Sequence, residues 1–381
     1  MVTSVPEELI QLRRDLHRHP ELSGAEVETA GRIRQFLAAY PPDTLVERVG
    51  RHGLLAVYEF GEPGPCIVIR CELDALPIDE PNDLAYRSRR SGVSHKCGHD
   101  GHMTIVAGLA PWLRRCRLSR GKVVLLFQPA EENGQGAKAM LEDPKFGALQ
   151  PDYVFALHNI PGFPLHQVIR VEGQFSASVI SVAIRFRGLQ AHAAEPENGR
   201  NPAWAMAEIT NRIREWIVPD PAHPDFTLVT PVYTTMGQPD YGISAGAGEL
   251  HFTLRTWTVQ KMDELVRKLE QLVAGIAGDY GLETTLDYFD HFPASPNNAE
   301  ANDLIVNAAL AGGLDLIRKH VPFKFGEDFG WFAQKYRGAM FGLGAGMDTP
   351  VLHNPNYDFP EALISSGISL FKELIRAVLN D

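Results

Sequence analysis

His95-Lys96-Cys97-Gly98-His99-Asp100-Gly101-His102 sets three imidazoles, a thiol and a carboxylate in one short run. Cys97 and His99, separated by a single glycine, can face one centre without helical geometry. Divalent ions of borderline softness take thiolate, imidazole and carboxylate ligands, and a catalytic site keeps one position open for water. The adjacent pair Glu131-Glu132 brings two carboxylates. On an extended or turning backbone, neighbours of this kind are expected to face different ways, so that one binds metal while the other stands over the water. A water acidified to a pKa near ~7 needs only a weak base beside it, and Glu suits that task. His158 and His353 would complete two metal shells from distant parts of the chain. The chemistry such a set supports is metal-assisted hydrolysis of an amide.

Each signal alone has a plainer reading. A lone cysteine is most often a small buried hydrophobe, a Glu-Glu pair is usually solvated, and single histidines commonly cap loops or sit in satisfied cores. The combination at strand ends is what sets these residues apart. His17 and His19, in Asp15-Leu16-His17-Arg18-His19-Pro20-Glu21, form a competing pair. They end a helix before Pro20 and read as structural. His166, His223, His251 and His291 read as surface or packing residues.

The elements that must hold these groups alternate between short apolar strands and helices through the first 160 or so residues. Strands are predicted at 66–70, 123–127 and 153–157, and helices at 25–40 and 103–113. This pattern implies an α/β fold, a mostly parallel sheet with helices on both faces, whose sites form at the carboxyl ends of strands. Asp74, the pair Glu131-Glu132 and His158 each follow such a strand, and His353 lies in a loop after a Gly-rich strand exit. From about Ser178 the pattern shifts to half-buried strands at 179–187, 227–235, 250–257 and 282–289, with helices at 202–217 and 259–280. That alternation suits an antiparallel sheet covered on one side. The expected division is a discontinuous catalytic domain, 1–177 and 291–381, interrupted by a second α+β domain at 178–290.

The 381 residues are enough for two cores, and the proportions of 44% hydrophobic and 22% charged residues exclude wholesale disorder. A net charge of −11 argues against nucleic acid or an anionic membrane as partner, since both need clustered Lys and Arg. No apolar run approaches the ~18 residues of a membrane helix, and Met1 to Leu12 lacks the pattern of a signal peptide. Four cysteines, Cys66, Cys71, Cys97 and Cys116, are too few for a disulfide framework and suit a reducing cytoplasm.

The runs DLHRHPELSGAE, RCELDALP, HKCGHDGH, QPAEE, ALHNIP, GLQAHAAEPENGRNP, GEDF and VLHNP together resemble the signature blocks of the aminoacylase, hippurate-hydrolase and indole-acetyl-amino-acid hydrolase group of metallopeptidases. They occur in that group's order over almost the whole chain. The resemblance implies a dinuclear metal site and an inserted, ferredoxin-like lid that also serves for dimerisation. It implies Cys97 as the bridging metal ligand, His99, Glu132, His158 and His353 as the remaining ligands, and Glu131 as general base. It implies Asp74 as the carboxylate that orients a ligating imidazole, and His192 as an oxyanion donor. The sequence departs from the group at Tyr241 to Glu249, where relatives carry an Asn-containing run ending in Ile-Pro-Asp that contributes to the substrate pocket; Lys96 and Glu72 are milder changes.

The expected substrate is a small N-acyl amino acid or short peptide, and the expected cofactor is a pair of divalent ions drawn from Zn, Mn, Co or Ni. Arg255 is the candidate partner for the carboxylate of the leaving amino acid. Whether the lid builds a homo-oligomer, and whether His192 acts in cis or in trans, is open at this level. Three rivals stand beside this reading: a dipeptidase or aminopeptidase on the same scaffold, a cysteine hydrolase with Cys97 as nucleophile and His99 as base, and a non-catalytic binding protein. A thiol enzyme would survive chelators; a metal enzyme would not.

Overall fold

A computed structural model describes residues 4–379. In chain order, the first part comprises α1 (Glu7–Arg18), α2 (Val27–Leu37), β1 (Thr44–Val49), β2 (Gly53–Glu59), β3 (Glu62–Glu72), α3 (His99–Ala107), α4 (Ala110–Leu113), β4 (Arg120–Gln128), α5 (Gly136–Glu142), α6 (Pro144–Gly147), β5 (Tyr153–Ile160) and β6 (Val168–Val171). The middle part comprises β7 (Ser178–Arg187), β8 (Ala191–His192), α7 (Ala203–Arg214), β9 (Thr227–Met236), β10 (Ile243–Ser244), β11 (Ala247–Thr256), α8 (Val259–Asp279) and β12 (Glu283–Phe292). The last comprises α9 (Ala299–Ala311), β13 (Leu316–Lys319), α10 (Gly330–Ala333), β14 (Arg337–Gly344) and α11 (Leu363–Leu379). Two compact units result: the described residues of Met1–Phe175, Ser295–His320 and Glu327–Asp381 form one, and Ser176–Ala294 with Val321–Gly326 form the other.

The first unit carries an eight-stranded sheet in the order β1-β2-β4-β3-β5-β14-β6-β13. The pairs β3–β4, β3–β5, β5–β14 and β6–β13 are parallel, while β1, β2 and β6 pair antiparallel to β2, β4 and β14 respectively. The mostly parallel α/β sheet read from the sequence is therefore present. Ile67, Val68 and Ile69 of β3 and Val123 to Phe127 of β4 are buried at every consecutive position, so both faces of the sheet are covered, which explains their unbroken apolar runs. Leu9 and Leu16 of α1, Ile105 of α3 and Leu370, Phe371 and Leu374 of α11 share one core with Ile67 and Ile69. Each such side chain contributes roughly 1.5–3 kcal/mol by leaving water. Register then decides where chemistry can collect. Glu72 pairs with Gln128, Arg70 with Ala156 and His158 with Gly342, which brings the carboxyl ends of β3, β4, β5 and β14 level along one edge.

The second unit is a four-stranded antiparallel sheet, ordered β12-β7-β11-β9. With α7 after β7 and α8 after β11, this is a ferredoxin-like βαββαβ arrangement. Leu250, Phe252 and Leu254 of β11 point into a core with Ile209 and Ile213 of α7 and with Leu265, Leu269 and Val273 of α8. The intervening Glu249, His251, Thr253 and Arg255 are only partly buried, the alternation expected of a sheet covered on one side. Thr258 caps α8 by accepting the Lys261 N–H. The sequence placed the boundaries at 178 and 290; the compact unit also takes in 321–326. That segment is held because the Phe323 carbonyl accepts the Ala177 N–H at 3.0 Å and the Lys324 carbonyl accepts from Arg255 Nη1 at 2.9 Å. Among the described residues, no helix is long and apolar enough to cross a membrane.

Candidate metal centre

Backbone turns at the carboxyl edge aim the candidate ligands. Gly98 precedes α3 with φ 95°, and a Cβ there would come within 2.6 Å of Asn159 Oδ1, so only glycine fits between Cys97 and His99. After β4, Ala130 takes a positive φ of 52° and the Gly134 N–H bonds the Glu131 carbonyl at 2.8 Å. His158 lies within β5 rather than after it. His353, with φ 65°, is tied by its N–H to the Lys96 carbonyl at 2.8 Å.

These turns bring the predicted ligands and base together. The donor atoms of Cys97, His99 and His158 lie within 4.8 Å of one another, as do those of Cys97, Glu132 and His353, and those of His99, Glu131 and Glu132. Cys97 Sγ is 3.5 Å from His158 Nε2. His99 Nε2 is 3.8 Å from both Glu131 Oε2 and Glu132 Oε1, and His353 Nε2 is 3.8 Å from Glu132 Oε2. His353 alone of this set is exposed. The two acidic side chains thus converge on one imidazole nitrogen, where the sequence suggested that they diverge. The left-handed Ala130 and the tight turn at Glu131 cancel the usual alternation of adjacent side chains.

The donor set fits divalent cations. His99 Nε2 and Glu132 Oε1 are buried with no hydrogen-bond partner, an arrangement that is costly unless a cation meets them. Both candidate ligand rings are held from behind with Nε2 forward: His99 Nδ1 bonds the Asp74 carbonyl at 2.9 Å, and His158 Nδ1 bonds the Asn159 carbonyl at 2.9 Å. Asp74 Oδ2 in turn accepts from Ser23 Oγ at 2.7 Å and from the Glu132 N–H at 2.9 Å.

The electrostatics tell the same story. Burial, then Glu327 and Glu132, pushes the Glu131 carboxyl well above its usual range, and burial raises Glu132 to about 7 against the pull of His99. His99 rises to about 10 because Asp74, Glu72 and Glu132 outweigh burial, whereas burial and the neighbouring His102 lower His158 to about 3. Burial and the surrounding Glu132 and Glu131 push the Cys97 thiol well up. That is the reverse of what an activated cysteine nucleophile needs, and it disfavours the thiol-hydrolase reading.

The sequence reading missed a buried ring around these ligands. His102 Nδ1 contacts Glu72 Oε2 at 2.7 Å, and Asn159, bonded to His102, donates from Nδ2 to the Tyr357 hydroxyl at 2.5 Å. Arg70 pairs with Glu72, Asp328 and Glu327. The signal was available: Arg70 and Glu72 are charges in a strand that is otherwise Cys-Ile-Val-Ile-Cys. His17 is structural, as read, bridging Asp100 Oδ2 at 2.7 Å and Glu80 Oε1 at 3.0 Å. Lys96 is buried in the same network, donating to Glu80 Oε1 at 2.6 Å and the Tyr357 carbonyl at 2.8 Å.

Two candidates belong to the second unit. His192 is exposed on β8, whose partner is β10 of the divergent Tyr241 to Glu249 run, with Ile243 opposite His192. Its Nδ1 accepts the Ala194 N–H at 3.1 Å, which leaves the ring proton on Nε2 as a donor. Arg255 is partly buried on β11, and burial lowers its pKa.

Comparison with known proteins places these features in a family context. The model of Peptidase family M20/M25/M40 matches residues 68–377. The chain is similar to an N-acetylcysteine deacetylase of Bacillus subtilis, 30% identical over 372 residues that cover 97% of both chains. It is similar to an N-acetyldiaminopimelate deacetylase of Geobacillus sp. strain WCH70, 31% identical over 362 residues, 94% of this chain and 95% of the relative. Among solved structures, the YXEP protein of Bacillus subtilis, described as a dinuclear metal-binding peptidase of the M20 family, superposes with TM-score 0.83 at 29% identity over 98% of each chain.

Proposed function

The chain belongs to peptidase family M20/M25/M40 and is a hydrolytic enzyme, and from that premise we propose that it hydrolyses the amide bond of an N-acyl amino acid, releasing a carboxylate and the free amino acid. The observation that carries this reading is the convergence of Cys97, His99, Glu132, His158 and His353 around buried polar atoms that lack partners, with Glu131 beside them. The relatives named for N-acetylcysteine and N-acetyldiaminopimelate deacetylation support the N-acyl amino acid class.

In this proposal Cys97, His99, Glu132, His158 and His353 would hold two divalent cations of the Zn, Mn, Co or Ni kind. Bound there, the cations supply Lewis acidity to a water and to the amide carbonyl. Glu131 takes the proton of the attacking water and passes it to the leaving nitrogen as the C–N bond breaks, so that the hydroxyl ends on the acyl carbon and the proton on the amine. The Asp74 and Asn159 carbonyls keep the two ligating rings from turning. His192, its proton on Nε2, donates to the developing oxyanion. Arg255 receives the carboxylate of the amino-acid half. The second unit is assigned as lid and dimerisation element. Four free cysteines accord with a cytoplasmic location.

The test is a panel of N-acetyl, N-benzoyl and indole-acetyl amino acids assayed beside free dipeptides, with metal analysis of the same preparation. Turnover of an N-acylated substrate by metal-loaded enzyme is expected. Exclusive cleavage of dipeptides would move the enzyme to the rival class.

A further inference from the structure

Arg70 is a fully buried cation near the carboxyl end of strand β3. Such a charge is tolerated only where acceptors surround it. Its Nε donates to Gln128 Oε1 at 2.9 Å, its Nη1 to Glu72, and its Nη2 to Asp328 Oδ1 at 2.7 Å, with Glu327 Oε1 3.0 Å from the same nitrogen. Asp328 is fixed again by Gln128 Nε2 at 2.8 Å and by the Ala137 N–H of α5 at 2.8 Å. Glu327 Oε1 also accepts the Phe329 N–H at 3.0 Å. The Glu327 carboxylate is therefore anchored on one side.

Glu131 lies close by. One oxygen from each of Glu131, Glu327 and Asp328 lies within 4.8 Å of the others, and all three residues are buried. With Glu131 ionised, as a base must be, its charge and that of Glu327 repel where little water screens them. Because Glu327 is pinned and Glu131 projects from a turn, the repulsion acts on Glu131. It favours the direction of His99 Nε2, 3.8 Å away, and the cluster of ligands.

We propose that Glu327 is a positioning residue: anchored by Arg70 and the Phe329 N–H, its negative charge turns the Glu131 carboxylate toward the metal cluster, where the attacking water must be met. The proposal rests on the reading of Glu131 as the base. Glu327 touches neither substrate nor metal in this account and acts only through Glu131.

The test uses the metal-loaded full chain. Glu327→Gln keeps the volume and the acceptor for Phe329 and removes the charge. Metal content and KM should match the parent while kcat falls by about 10- to 100-fold, the range expected when a reacting group is misplaced by an ångström or less. Glu327→Asp draws the charge back by one methylene and should fall between parent and Gln variant in kcat. If the Gln variant does not fold, the Asp variant decides: a several-fold lower kcat at unchanged KM and metal content supports the proposal. A parent-like kcat in whichever variant is measured overturns it, as does loss of metal together with activity. Glu131→Gln, measured alongside, separates the two levels. If it retains turnover, the base assignment fails and this proposal with it; if it is inactive while Glu327→Gln turns over like the parent, only the positioning role fails.

Discussion

Nδ1 of His99 bonds the backbone carbonyl of Asp74 at 2.9 Å, while Asp74 Oδ2 accepts the N–H of Glu132 at 2.9 Å. A single residue at the end of β3 thereby sets the orientation of two ligands that come from different parts of the chain. Asp74→Asn keeps the carbonyl but weakens the side-chain half of this arrangement. Metal affinity, measured by competition with a chromophoric chelator, is expected to drop by about 10- to 100-fold. Unchanged affinity would remove Asp74 from the site.

Glu131 contributes through its carboxylate charge, not its bulk. Glu131→Gln should retain metal and lower kcat by about 10²- to 10⁴-fold, the usual worth of a general base. The check is steady-state kinetics paired with metal analysis of the same sample.

Chelation should abolish turnover, and Mn, Zn or Co should restore it. The thermal midpoint should fall on metal removal, because the buried cluster then carries Glu131, Glu132 and unpartnered His99 Nε2 with nothing between them. Activity that survives exhaustive dialysis against chelator would favour the thiol mechanism instead.

His192 is expected to act on turnover without touching the metals. His192→Ala should lower kcat by about 10²- to 10³-fold, the cost of losing one oxyanion donor, with metal content intact. An unchanged kcat would return His192 to the role of a surface residue beside Ile243.

Behind the ligands, Glu80 gives the fold a defined acid sensitivity. Burial alone would raise its carboxyl, but His17, Lys96 and the Ser88 N–H lower it from 4.5 to about 2. A carboxyl depressed in the folded state stabilises above its unfolded value and loses that contribution as pH falls through the folded one. The stability should therefore be present above about 4.5 and decline toward 2. Glu80→Gln should melt below the parent at neutral pH, with the gap closing across that acid window in thermal scans. A gap independent of pH would sink the assignment.

The grouping of the five ligand candidates with the candidate base Glu131, and the two-sheet organisation, were legible because they rest on local signals: residue types that bind metal, set just past or within apolar runs. The change from continuous burial in β3 to alternation in β11 separated the two sheets in the same way. Strands β1, β2, β6 and β13 escaped notice, β1 because it is short and largely solvent-facing, with Thr44, Glu47 and Arg48 exposed. The positions of Glu327 and Asp328 against Glu131 were illegible for a different reason. They are held by Arg70, Gln128 and the Ala137 N–H in a buried network of residues far apart in the chain, and no local pattern encodes such a pairing. The direction of Glu131 relative to Glu132 depended on a left-handed alanine, a conformation for which Ala130 offers no compositional cue.

His353 reaches the cluster from beyond β14, whereas Cys97 and His99 precede β4. During synthesis the ribosome must pass through the whole second unit before this last imidazole emerges. Until then the nascent chain holds a half-built cage of thiol, imidazoles and acids, open on the side that His353 will close. On the proposed ligand set, a full cage would exist only once His353 has joined it, so that a bound ion would report a polypeptide whose distant segments have already found one another.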